Sequence, residues 1–419
     1  MSGTAPTSAN AIVRHVGAGF IALYVLAYMG VWLALMAPVL VTLPLKVNGL
    51  VGTEAAPGAL GLITGIGALL ALIGNPLFGR LSDRTTARLG MRRPWMIVGL
   101  VGATAGLLLI ALAPAVWVVA IGWSITQLAF NALLAAVVAI MADQIPEGQR
   151  GVVSGVLGIC APLALVVGAY VVQLVAPLGQ VAMFLFPMAI TSACVVAFMV
   201  VLRDRRLSGD DKPAWSFREF LATFYTSPRK APDFAWAWIS RFLFVMGQSF
   251  LLTYQAFYLL NKIGISEVQL PDSIFIATVV SSACWVLFSL IGGKLSDKTG
   301  RRKVFVLASA LVYGAGLLVV AFSSEMTVFL IAMAITGAGI GIYFAVDLAL
   351  VTDVLPNRDN AAKDLGVFNI ASALPQSIAP AIAPAILAVA GGDYSVLFVV
   401  AGACTIIGAL AVLKVKGVR

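Results

Sequence analysis

Gly79-Arg80-Leu81-Ser82-Asp83-Arg84-Thr85 and Gly293-Lys294-Leu295-Ser296-Asp297-Lys298-Thr299 are two copies of one pattern in a chain of 419 residues. Each copy ends an apolar run and is trailed by bases, Arg92-Arg93 after the first and Arg301-Arg302-Lys303 after the second. A second pair keeps the same register: Asp143-Gln144-Ile145-Pro146 followed by Arg150, and Asp353-Val354-Leu355-Pro356 followed by Lys363. Landmarks repeated in register mean two homologous halves. Parallel halves with a site between them, near the bilayer midplane, are a transporter architecture.

Basic residues alone would be explained as anchors of membrane topology. A Ser and an Asp held at the same spacing twice, behind a Gly, ask for more. The glycine suits a close helix approach or a tight exit. The Asp can accept hydrogen bonds from the bases and from free N–H groups at a neighbouring helix start. We expect Asp83, Arg84, Arg92, Arg93, Asp143, Arg150, Asp297, Lys298, Arg301, Arg302, Asp353 and Lys363 to form a conformational latch, a charge network that biases two states.

Working outward, the charge-free intervals draw the spans. Residues 16–45 and 55–79 make the first two. The 94–142 stretch is divided by Pro114 and the 151–202 stretch near Pro177 and Gly179, giving four more. Residues 242–261, 273–293, 304–324, 326–346, 365–392 and 394–413 complete twelve, the seventh reaching back through Arg241 and the tenth forward through Asp347. The expected fold is an all-α membrane protein of two pseudo-symmetric six-helix bundles, residues 1–202 and 233–419, joined by a linker at 203–232. Within that linker Trp215, Phe217, Phe220, Leu221 and Phe224 interleave with Arg218 and Glu219, as in a surface helix.

Composition agrees. The chain is 61% apolar and 11% charged, with a mean hydropathy of +1.02, where soluble domains run near 45–50% and about 25%. That excludes an ordinary cytosolic enzyme, a disordered chain and a coiled coil. At roughly 20 residues per span, twelve spans use about 240 residues and leave room for short loops only. Of the 27 Lys and Arg, only Lys46 and Lys262 fall on the side opposite the termini and Arg241 lies in a span. The positive-inside rule then puts both termini in the cytoplasm and the chain in the inner membrane as a multi-pass protein. The net charge of +9 is met by lipid headgroups, and no nucleic-acid partner is needed. Cys160, Cys194, Cys284 and Cys404 sit in apolar runs and read as small buried hydrophobes. One histidine, His15, excludes a zinc site built on histidines. There is no Gly-rich Lys-Ser/Thr phosphate loop, so nucleotide drive is excluded.

The Gly-x-Leu-Ser-Asp pattern with trailing bases, present in both halves, resembles the signature loop of the major facilitator superfamily. A narrower likeness rests on Leu81-Ser82-Asp83-Arg84-Thr85, Arg88-Leu89-Gly90-Met91-Arg92-Arg93-Pro94-Trp95, Asp143-Gln144-Ile145-Pro146 and Lys363-Asp364-Leu365-Gly366-Val367-Phe368-Asn369-Ile370. These resemble the glycoside–pentoside–hexuronide:cation symporters and the sucrose/proton symporter group. That resemblance implies cation-coupled sugar uptake by alternating access, with a proton or sodium as the coupling ion and no cofactor. Span 1 departs from it in having no acid. Span 5 lacks the Gly-Pro-x-x-Gly-Gly pattern of drug/proton antiporters.

Ionisable groups inside spans default to functional roles. Arg241 and Asp347 qualify, both roughly 9–10 Å from the terminal side at 1.5 Å per residue. They can be a static buried salt bridge or a cation-responsive coupling pair, with His15 and Glu54 as the fallback coupling groups. Candidate solute ligands are Tyr24, Tyr28 and Trp32 in span 1, Gln127 and Asn131 in span 4, Gln248, Tyr254 and Gln255 in span 7, Tyr343 in span 10, and Asn369, Ser372 and Gln376 in span 11. Amides bond hydroxyls and rings cover C–H faces, which suits a small neutral polyhydroxylated solute. The chain is expected to be a monomeric carrier in a lipid bilayer and not an enzyme. Symport of a sugar or glycoside leads; export of a drug-like or metabolite solute and a non-transporting sensor are the alternatives.

Overall fold

The computed structural model describes residues 16–207, 231–354 and 361–416. His15 and the linker segment 215–225 lie outside the described residues, and so do the side chains of Asp297, Asp353 and Lys363.

The described chain is helical, with eleven stretches long and apolar enough to cross a membrane. The first runs 66 residues, Ala18–Asp83, roughly 100 Å of helix at 1.5 Å per residue and far too long for one crossing. Gly52 breaks it: its φ of 76° and ψ of 169° lie outside the helical region, in backbone that glycine adopts without Cβ strain. The break leaves α1 (18–51) and α2 (53–83), so the expected twelve helices are present. The others are α3 (Arg93–Ala111), α4 (Val116–Gln144), α5 (Glu147–Val175), α6 (Gln180–Val201), α7 (Pro232–Tyr258), α8 (Leu270–Thr299), α9 (Arg302–Phe322), α10 (Met326–Asp353), α11 (Ala361–Val389) and α12 (Tyr394–Val412). Pro114 and Gly179 fall in the breaks expected of them.

Lys46 corrects one expectation. It is buried inside α1 and not in a loop, and its Nζ donates to the Ala111 carbonyl at 2.9 Å. Ala111 is the last residue of α3, where unpaired carbonyls and the negative end of the helix dipole favour a cation. The helix continues past Lys46 because the charge is satisfied within the protein. α1 also carries a π-turn, Pro38–Thr42, in which the Leu43 N–H reaches back to the Pro38 carbonyl. Pro44 has no N–H for the Leu40 carbonyl, so the regular ladder cannot continue there.

The first six helices pack on one another chiefly as α3 on α4, α2 on α4, and α1 on α5 and α6. The last six repeat that scheme as α9 on α10, α8 on α10, and α7 on α11 and α12. The most extensive contacts between the halves are α2 on α11 and α5 on α8. Small residues allow the first of these: a Cβ on Gly61 would stand 2.3 Å from the Pro380 carbonyl oxygen and 2.7 Å from the Tyr254 hydroxyl.

Candidate solute cavity and buried ion pair

The α2–α11 crossing closes the side away from the chain ends. Pro384 lacks the N–H that would bond the Pro380 carbonyl four residues earlier, so that oxygen needs another donor. The Tyr254 hydroxyl lies 3.1 Å from it and 3.2 Å from the Pro57 oxygen of the other half. Asn48 Nδ2 donates to Glu267 Oε1 at 2.5 Å, again across the halves. Tyr254 is therefore part of the closure and does not line the cavity, a correction to its assignment as a solute ligand.

Behind this closure lies a cavity of about 710 Å³ between the halves. Of the expected ligands Tyr28, Trp32, Gln127, Asn131, Asn369 and Gln376 line it, with Ser372. It extends along α2 to Asn75 and Arg80, toward the side that carries the chain ends. Asn131 Nδ2 donates to the Gln127 carbonyl at 2.8 Å and Gln376 Nε2 to the Ser372 carbonyl at 3.0 Å. Each amide thus spends one N–H on its own helix. Gln248 and Gln255 line a separate pocket of about 70 Å³ with Thr278, Ser281, Ser282 and Thr336. Tyr24 lines neither; it is buried against Phe198 at 5.6 Å between ring centres. Tyr343 is buried flat on Phe244 at 3.6 Å. Both rings fill the interior of a bundle, where an aromatic side chain contributes most by being covered.

Sequence reasoning missed Thr64, Asn75, Arg80, Trp123, Ser249 and Thr253 in the lining. Trp123 stands four residues before Gln127, which stands four before Asn131, so the helical spacing was visible.

Arg241 and Asp347 meet. Arg241 Nη1 lies 2.6 Å from Asp347 Oδ2, with the Asp347 residue 2% exposed. Arg241 Nε donates to Ser372 Oγ at 2.6 Å, and the guanidinium carbon sits 4.8 Å from the Phe368 ring centre. Three helices, α7, α10 and α11, are joined through one side chain.

A second network lies at the edge where the repeated motif sits. Arg92 pairs with Asp83 and Asp143, both at 2.7 Å, and its Nη1 also donates to Ser82 Oγ at 2.9 Å. Burial acts to lower the Arg92 pKa, and the bonds to Asp143 and Asp83 more than offset it, holding it above the ordinary arginine value. Ser82 is fully buried and its hydroxyl also reaches the Met91 carbonyl at 3.3 Å. This accounts for the Ser and the Asp of the motif. It does not account for Gly79, which has open space where a Cβ would stand and lies in continuous helix, so neither close approach nor a tight exit explains it. Asp204, missed in the sequence, accepts from the Arg92 and Arg93 N–H groups at 2.8 Å each. Arg93 donates to the Leu202 carbonyl, and Arg150 Nε to the Ile145 carbonyl at 2.9 Å. The described members of this network all belong to the first half. Cys160 is buried, while Cys194, Cys284 and Cys404 are only half-buried, and all four are free thiols.

Two helical bundles with an interior cavity between them, spanning a membrane, define a carrier. The sequence profile of the Major Facilitator Superfamily matches residues 20–286 and 271–418, and the chain belongs to that superfamily. It is 24% identical over 361 residues to the class G tetracycline resistance protein of Vibrio anguillarum, covering 81% of this chain and 83% of that one. It is 32% identical over 122 residues to the multidrug resistance protein MdtL of Shewanella sp., a match on 29% of each chain. Among solved structures it resembles the nucleoside transporter NupG, with a TM-score of 0.74 at 13% identity over 94% of this chain and 99% of that one. A bacterial homologue of the human lysosomal transporter Spinster, solved inward-facing and unoccupied, gives 0.71 at 15% identity over 95% and 98%. These relatives support the superfamily and do not single out its sugar symporters.

Proposed function

We propose that the chain carries an uncharged, hydroxyl-bearing solute with an apolar face across the membrane by alternating access, coupled to a cation and first of all to the proton. The supporting observation is the wall of the 710 Å³ cavity. Gln127 and Asn131 from one half and Asn369 and Gln376 from the other present amides beside the rings of Tyr28, Trp32 and Trp123. Amides bond hydroxyls, and rings cover C–H faces. Arg80, toward the terminal side, is the one charged side chain in the described lining; a phosphate or dicarboxylate would ask for more fixed cations. Asp347 with Arg241 is the coupling element, and the Arg92 network is the latch. The base-rich side faces the cytoplasm.

Cation-coupled uptake of a sugar or glycoside is the first form of this reading. Proton-driven export of a drug-like or metabolite solute is the second, favoured by the likeness to the tetracycline resistance protein along most of both chains. Liposomes holding the purified protein and an internal pH dye separate them, with p-nitrophenyl β-glucoside and tetracycline as probes. Inward solute movement that acidifies the lumen supports symport; inward solute movement that makes it alkaline supports exchange. Saturable binding with no flux of either probe would overturn the carrier reading.

A further inference from the structure

We propose that Ser372 is the positioning residue through which the cavity and the Arg241–Asp347 pair sense each other, so that solute and proton compete for the conformation seen here. This rests on the cavity being the solute site.

The helical hydroxyls of Thr104, Ser124, Thr126, Ser192 and Ser249 each donate to the carbonyl four residues back at 2.8 Å, and Thr405 does so at 3.0 Å. This is the ordinary way for a helical hydroxyl to satisfy itself. Ser372 is different. Its Oγ accepts from Arg241 Nε at 2.6 Å, and its own proton has no partner among the described residues, although the residue stands in the cavity wall. The guanidinium is fixed from two other directions, by Asp347 at 2.6 Å and by the Phe368 face at 4.8 Å. With one lone pair of Ser372 occupied by a cation, its O–H is turned outward as a donor for an acceptor oxygen on a neutral solute. The chain from Asp347 through Arg241 and Ser372 to that oxygen is charge-assisted, and each bond polarises the next.

Among the described residues, Arg241 faces Asp347 from α7 and Tyr343 from its own helix; α8 sends Trp285 onto Phe344, and α9 sends Tyr313 onto Phe244. A proton on Asp347 removes the counter-charge of Arg241. The guanidinium then no longer fixes Ser372, whose hydroxyl turns back to the Phe368 carbonyl four residues earlier, as those of Thr104, Ser124 and Ser249 do. The solute loses its donor. Coupling between two binding events is reciprocal, so bound solute disfavours the proton by the same factor. Mutual exclusion of solute and proton on one carrier state is the requirement of exchange, whereas symport requires each to favour the other, so this inference rests on the second, exchange form of the proposed function.

The test uses the full chain in nanodiscs, in weak buffer with a pH-indicator dye, and p-nitrophenyl β-glucoside and tetracycline as probes. Binding should release protons, and on the acid side of the titration affinity should fall up to about tenfold per pH unit, the limit for one linked proton. Ser372→Ala should bind several-fold more weakly, with neither proton release nor pH dependence, while Ser372→Thr keeps both. Proton uptake on binding, or undiminished release in Ser372→Ala, would overturn the proposal. If neither probe binds at any pH, the solute class fails and the empty protein decides the link. The infrared carboxyl band assigned by Asp347→Asn should then titrate at a different pH in Ser372→Ala, and an unmoved titration would overturn it.

Discussion

At the scale of the residue, Arg241 and Asp347 were the two charges the sequence placed inside spans, and they lie 2.6 Å apart. Their pairing was open in the sequence because charge and depth place two groups at one level without choosing the helix faces. Removing one partner leaves an uncompensated buried charge, which costs on the order of 3–5 kcal/mol. Asp347→Asn should therefore lower thermal stability in detergent, and Asp347→Asn with Arg241→Gln should recover most of it. The double variant also separates the two roles of the pair. A coupling pair predicts that the folded double variant only equilibrates solute, whereas proton-driven accumulation at the wild-type level would leave the pair a static bridge.

At the scale of the element, the repeated loop explains why Ser and Asp recur: Ser82 and Asp83 both hold Arg92, which reaches Asp143 at the end of α4. Asp83 is half-exposed, and Asp143 remains with Arg92 when Asp83 is lost. Asp83→Asn should thus change stability by less than about 1 kcal/mol. It should depress the transport rate while leaving solute affinity within a few-fold. Transport rate and equilibrium binding measured on the same preparation check this, and a collapse of binding with an unaltered conformational balance would contradict the latch. Helix positions were legible because charges and prolines interrupt apolar runs. The length of α1 was not, since Lys46 donates to a carbonyl of α3 that no local pattern reveals. The tyrosines failed for a related reason. Tyr24, Tyr254 and Tyr343 share residue type with Tyr28, and only the neighbouring helix decides which ring is covered and which faces the cavity.

At the scale of the molecule, the two halves touch chiefly through α2 on α11 and α5 on α8, closed at the end away from the chain ends and enclosing the cavity behind that closure. The internal repeat made the two halves legible; the closure was not, because it depends on a carbonyl freed by Pro384 and on the space left by Gly61. Alternating access requires this closure to open in every cycle. A Cβ on Gly58 would stand 4.0 Å from the Pro384 Cβ, within the span of a disulfide. Gly58→Cys with Pro384→Cys, in a chain whose four native cysteines are replaced, therefore gives a reversible lock across the closed end. The most direct test measures solute flux into liposomes before oxidation, after it, and after reduction. Rocking about this closure predicts that oxidation abolishes flux, leaves solute binding intact, and is reversed by reductant; unchanged flux through the fully cross-linked protein would contradict it.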